Sequence, residues 1–285
     1  MKWPWRGRRA WEDGAGVPPL VVTSGAPSIA AEAFRNLRAN LQYAALGGKL
    51  RTVVVTACGP DEGKTTIVAN LGVAMAQAGA RVLVVGADLR RPVLHRVFGR
   101  SHHVGLVSVL AGRLSLEEAV QRDLPGGVEL LASGPIPPNP AELLASARLS
   151  ELMEEMKARW DVVLFDSPPV VALSDGAILA ARADGALLVV TMGQTPREMV
   201  AAARRQIEQV GGRILGVVVN KVRPQEAGQY YHYYYYYYDD GTRRSRSSGR
   251  ADRSGHGLSE HTRDESSPVP TPARGAPSRP GRSRP

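Results

Sequence analysis

Five short apolar runs recur along the chain, at residues 51–56, 81–85, 162–165, 186–191 and 214–220, each rich in Val, Leu, Ile or Ala with little polar interruption. Runs of that length, apolar on both alternating sets of positions, are the pattern of strands covered on both faces. Between them lie stretches with apolar residues at helical spacing, at residues 65–78, 140–159, 174–181 and 196–210. Strand and helix in alternation predict an α/β fold, a parallel sheet flanked by helices. In such folds ligands bind outside the carboxyl ends of the strands.

The polar candidates fall at those ends. The first run leads into Gly59-Pro60-Asp61-Glu62-Gly63-Lys64-Thr65-Thr66 and then an amphipathic helix. Strand, glycine loop and helix start bring backbone N–H groups and the positive end of the helix dipole onto phosphate oxygens. Lys64 is then placed to neutralise β and γ oxygens, and the Thr65 hydroxyl to take a Mg²⁺ position. The usual first glycine of the motif is Cys58 here, so the formal match is partial and the strand–loop–helix context carries it. Asp166, in Asp166-Ser167-Pro168-Pro169, ends the third run and faces the same mouth, where it can hold Mg²⁺ directly or through water. A helix N-cap is the plainer use of that Asp. Asp88 follows the second run as a metal or hydroxyl partner, with Arg90 and Arg91 behind it to meet phosphate or a carboxylate.

Eight tyrosines, Tyr230, Tyr231, Tyr233, Tyr234, Tyr235, Tyr236, Tyr237 and Tyr238, fill a nine-residue tract interrupted only by His232. A nucleotide site and clustered phenolic hydroxyls on one chain point to an enzyme that modifies its own tail. The net charge of +9 is concentrated toward the ends: residues 239–285 carry ten arginines against six acids. That placement argues against specific nucleic-acid binding, for which a basic face on the folded domain is needed. From residue 241 onward Ser, Arg, Pro and Gly dominate, a composition expected to stay disordered. The domain reading is therefore a basic, Trp-containing arm (1–27), a globular domain (28–228), the tyrosine cluster (229–240) and a tail (241–285). One cysteine excludes an internal disulfide, no apolar stretch reaches the ~18 residues of a membrane span, and no signal-peptide core follows the basic start. These features predict a cytoplasmic protein, its basic arm either simply solvated or resting on an anionic inner leaflet.

Taken in order, the motifs resemble those of the cytoplasmic bacterial protein-tyrosine kinases (BY-kinases) of capsule and exopolysaccharide synthesis, of the partner-dependent type without membrane segments of its own. Glu32-Ala33-Phe34-Arg35-Asn36-Leu37-Arg38 resembles the ring-forming helix, residues 60–66 the Walker A motif, residues 87–92 the second, deviant Walker motif, residues 134–144 the middle signature, and residues 166–169 Walker B. The resemblance implies a P-loop NTPase fold with ATP and Mg²⁺ as cofactors. It further implies catalysis by Lys64, Asp88 and Asp166, with Thr65, Asp88 and Asp166 at the metal, and phosphorylation of the tyrosine cluster in trans. Glu32, Arg35 and Arg38 would then close a homo-oligomeric ring, beside a membrane-bound polysaccharide co-polymerase and a cognate tyrosine phosphatase, at the inner face of the plasma membrane. One departure stands out. The family's second Walker motif reads D-x-D, and its first carboxylate is Gly86 here. That loss keeps open a weakly active nucleotide-gated scaffold. A partitioning ATPase of the same deviant-Walker class fits less well, because those proteins carry an extra lysine early in the loop and residues 58–62 contain none.

Overall fold

The computed structural model describes residues 19–23, 28–44 and 50–222. In chain order the elements are α1 (Ile29–Ala44), β1 (Thr52–Ala57), α2 (Lys64–Ala76), β2 (Val82–Gly86), α3 (Leu94–Val97), α4 (Leu106–Leu110), α5 (Leu116–Ala119), β3 (Glu129–Leu131), α6 (Pro140–Ala145), α7 (Ala147–Arg159), β4 (Val162–Asp166), α8 (Ser174–Ala180), β5 (Gly185–Thr191), α9 (Arg197–Gln209) and β6 (Ile214–Asn220). The strands form one sheet in the order β3-β2-β4-β1-β5-β6, and every neighbouring pair is parallel.

Alternation along each central strand sends its side chains into two cores. Val54, Leu83, Val85, Val163, Phe165 and Leu188 join one cluster with residues of α4, α7, α8 and α9. Val53, Val55, Val84, Leu164, Leu187 and Val189 join the other with α1 and α2. This two-sided burial is why β1, β2, β4 and β5 read as continuous apolar runs.

Besides the short helices α3, α4 and α5, four features depart from the pattern-based expectation. A sixth strand, β3, pairs Glu129, Leu130 and Leu131 with Leu83, Val84 and Val85. β6 is the sheet edge rather than a doubly covered strand, and Val217 and Val219 are about half exposed, at 51% and 49%. α2 is buried almost all round instead of amphipathic, because α1 lies over its outer side: Phe34 and Leu41 share its core, and Arg38 Nη1 donates to the Ala74 carbonyl at 3.1 Å. Finally, the stretch 140–159 is two helices broken at Ser146, whose backbone is extended. Ser146 Oγ donates to Leu143 O at 2.7 Å and Arg182 Nη2 donates to Ala145 O at 2.7 Å, so local partners take carbonyls that a continuous helix would have used. Among the described residues no helix is long and apolar enough to cross a membrane.

Candidate active site

The phosphate loop runs from the end of β1 into α2. Gly63 is the helix N-cap and sits at φ 96°, in the left-handed region that favours glycine. Space forces the same choice, since a Cβ there would lie 2.2 Å from Asn220 Nδ2. Asn220, at the end of β6, donates to Glu62 O at 2.9 Å, and Lys221 Nζ donates to Asp61 O at 2.6 Å. Both oxygens of the Glu62 side chain are engaged by the protein itself. One oxygen accepts Gly59 N–H at 3.0 Å and the other accepts the Thr195 hydroxyl, which itself accepts Thr191 N–H at 2.8 Å. The ends of β5 and β6 therefore strap the loop from outside. Cys58 is buried behind it, and burial pushes its thiol up to about 12, so it is an inert packing residue.

Across the loop, Asp166 ends β4. It does not cap a helix, because residues 167–173 are non-helical and α8 begins only at Ser174. Its turn is pinned to β1 by Ser167 Oγ to Val55 O at 3.1 Å and Thr56 Oγ1 to Pro168 O at 2.9 Å. Asp166 Oδ2 accepts the Thr65 hydroxyl at 2.8 Å, while its buried Oδ1 has no hydrogen-bond partner. Burial pushes this carboxyl up to about 7, and the Asp88 charge adds to the rise, while Lys64 and the Thr65 hydrogen bond oppose it. Asp88 is partly exposed, and its Oδ1 accepts the N–H groups of Arg90 at 3.2 Å and Arg91 at 2.9 Å. Desolvation raises its proton affinity too, against the Arg91 N–H and the Lys64 charge. Lys64, Thr65, Asp88 and Asp166 thus share one electrostatic site. A buried carboxylate oxygen lacking a partner, beside a hydroxyl and a second carboxylate, is a hard-oxygen set that fits Mg²⁺.

Residues 53–238 match the CobQ/CobB/MinD/ParA nucleotide binding domain family. The tyrosine-protein kinase YwqD of Bacillus subtilis is 40% identical over 211 residues, covering 74% of this chain and 89% of that protein. The chain belongs to the bacterial protein-tyrosine kinase family. The Escherichia coli tyrosine-protein kinase Etk is 35% identical over 214 residues, which are 75% of this chain but only 29% of Etk. The crystallographic kinase domain of Etk superposes with a TM-score of 0.68 at 32% identity, covering 72% of this chain and 82% of that one. The expected fold class and tyrosine-kinase activity are those of the family.

Pro60 and Asp61 are exposed on the loop, and Thr66 lies in the first turn of α2. On α1, Glu32 and Arg35 pair with each other and Arg38 is held by Ala74 O, so within one protomer all three already have partners. Tyr230, Tyr231 and Tyr233 to Tyr238 lie outside the described residues. Gly86 ends β2 opposite Asp166 in the register, and a Cβ there would come within 3.1 Å of Ser133 N. Sequence reasoning missed Thr195, Asn220 and Asp175. Asn220 ends a strand and Asp175 lies in the first turn of a helix, which is the one advance signal either gave, while Thr195 sits in the loop between β5 and α9 and gave none.

Proposed function

We propose that this kinase transfers the γ-phosphoryl group of ATP to the tyrosine cluster of a neighbouring copy, and that the cluster's phosphorylation state regulates capsule or exopolysaccharide polymerisation. The observation that carries the reading is the convergence of Lys64, Thr65, Asp88 and Asp166 at one phosphate mouth, with Asp166 Oδ1 free of any hydrogen-bond partner. The N–H groups at the start of α2 and the Lys64 ammonium would hold the phosphates. Thr65, Asp166 and Asp88 would hold Mg²⁺, which when bound supplies charge neutralisation at the transferring group. The tyrosine oxygen bonds to the γ-phosphorus as the bridging β–γ P–O bond breaks, ADP departs, and the phenolic proton passes to Asp88. Asp88 suits that role as the more exposed of the two carboxylates.

The same reading gives the kinase a ring of protomers built through Glu32, Arg35 and Arg38, a membrane-bound polysaccharide co-polymerase as activator, a tyrosine phosphatase as antagonist, and a place at the cytoplasmic face of the membrane. The resemblance to capsule kinases supports these partners. A mixing experiment tests the trans reaction. Protein with all eight cluster tyrosines changed to Phe is incubated with Lys64→Met protein, Mg²⁺ and ATP, and phosphotyrosine is expected on the Lys64→Met chain. Labelling of neither chain, when wild type labels itself under the same conditions, would show that the tract is not modified in trans.

A further inference from the structure

Asp175 is fully buried at the start of α8, outside every motif that points to nucleotide chemistry. Its two oxygens accept Arg90 Nε at 2.8 Å and Nη2 at 3.0 Å. Arg90 belongs to the turn whose N–H groups hold Asp88 Oδ1. Asp175 is itself rigidly seated: a Cβ on the next residue, Gly176, would lie 3.0 Å from both Pro168 O and Thr56 Oγ1, so the start of α8 packs hard onto the turn that follows Asp166. The ion pair consequently staples the turn carrying Asp88 to the turn following Asp166.

An ion pair with one buried partner, Asp175, and one exposed partner, Arg90, is poor evidence of a stabilising role. What a two-point guanidinium–carboxylate contact adds is fixed orientation. We infer that Asp175 is a positioning residue for phosphoryl transfer: through Arg90 it holds Asp88 at its working distance from Asp166 across the phosphate mouth. The inference rests on the roles proposed above for Asp88 and Asp166.

The test uses the full chain and four variants, Asp175→Asn, Arg90→Lys, Asp88→Asn and the Asp88→Asn/Asp175→Asn double variant. Three quantities are read: kcat and KM for ATP in phosphotyrosine formation, both at saturating Mg²⁺, and the Mg²⁺ concentration at which half of ATP binding, followed by calorimetry, is restored. Asp175→Asn is expected to lower kcat and raise the Mg²⁺ midpoint by about 10- to 100-fold, the size usual when a group orienting a metal ligand is lost. KM for ATP should move by less than about threefold, because the loss falls mainly on the transition state. In the Asp88→Asn background, Asp175→Asn should shift the Mg²⁺ midpoint by less than about threefold, since Asp175 acts through Asp88. Arg90→Lys keeps the charge and loses the fork, so it should reproduce the Mg²⁺ effect even if Asp175→Asn proves unstable in thermal melting. If Asp88→Asn shifts the Mg²⁺ midpoint but Asp175→Asn and Arg90→Lys do not, or if the Asp88 and Asp175 effects multiply, the positioning role is overturned while the site assignment stands. If Asp88→Asn itself leaves the midpoint unchanged, the assignment of Asp88 fails and this inference falls with it.

Discussion

Gly63→Ala offers a quantitative probe of the strap around the phosphate loop. Holding a residue with a Cβ in the left-handed region costs roughly 1–2 kcal/mol. The new methyl would also meet Asn220 Nδ2 at 2.2 Å, so Asn220 must swing away and give up its bond to Glu62 O. A hydrogen bond of that kind contributes about 1 kcal/mol. The sum, about 2–3 kcal/mol, should appear in nucleotide affinity, because an empty loop can relax and a loaded one cannot. That corresponds to a roughly 30- to 150-fold rise in Kd for ATP. Asn220→Ala alone loses only the hydrogen bond and should cost about fivefold. In the double variant the methyl has no side chain to displace, and the bond is already gone. Asn220→Ala should therefore add almost nothing in the Gly63→Ala background, a coupling of about 1 kcal/mol. Calorimetric titration of the four proteins with ATP and Mg²⁺, with melting curves as a folding control, measures this cycle. Fully additive losses would refute the argument that Asn220 and Gly63 act on one contact.

Further outcomes follow from the same geometry. Gly86→Asp should raise autophosphorylation by restoring a carboxylate opposite Asp166, with Gly86→Ala isolating the crowding against Ser133 N; a rate at or below that of the Ala variant would show that the site works without an acid there. Glu32→Ala/Arg35→Ala should convert any ring to monomers in light scattering without a large change in melting temperature, whereas Arg38→Ala should also lower it, because Arg38 is bonded to α2; a ring that survives all three changes would exclude this helix face. His95 is buried, and desolvation together with the charges of His102, Arg96 and His103 lowers its pKa to about 4, against about 6.5 when unfolded. Its contribution is then complete above pH ~6.5 and lost as the pH falls toward ~4, because the unfolded chain binds the extra proton. Urea melts of wild type between pH 7 and 5 should show that loss, and His95→Leu should flatten it; equal slopes would contradict it.

How much of this was legible in the sequence depended on length and locality. β1, β2, β4 and β5 announce themselves because helices on both faces demand apolar residues at every position. β3 is three residues long, too short to show a period, and lies between β2 and a single bridge to Gln121, and α3, α4 and α5 span only four or five residues each. The edge position of β6 depends on strand order, which no local pattern encodes. Lys64 and Thr65 were readable because strand–loop–helix chemistry constrains neighbours in sequence, and Asp166 because it ends an apolar strand; in the fold the Thr65 hydroxyl donates to Asp166 Oδ2 at 2.8 Å. Glu62 was readable as a loop member, but its grip on Gly59 N and Thr195 depends on a residue 133 positions away. Asp175, Thr195 and Asn220 act through similarly distant partners, so each looks in isolation like an ordinary polar residue of a loop or an element's end.

The most direct test of the central claim, that this phosphate mouth phosphorylates the chain's own tyrosine cluster, is phosphotyrosine mapping of wild type and Lys64→Met after incubation with ATP and Mg²⁺. Lys64 is buried at the start of α2, so its loss removes charge stabilisation of the transferring phosphate. Phosphate is expected on Tyr230, Tyr231 and Tyr233 to Tyr238 in wild type and on none of them in Lys64→Met, with the same circular dichroism spectrum for both. Undiminished labelling of the folded Lys64→Met protein would contradict it.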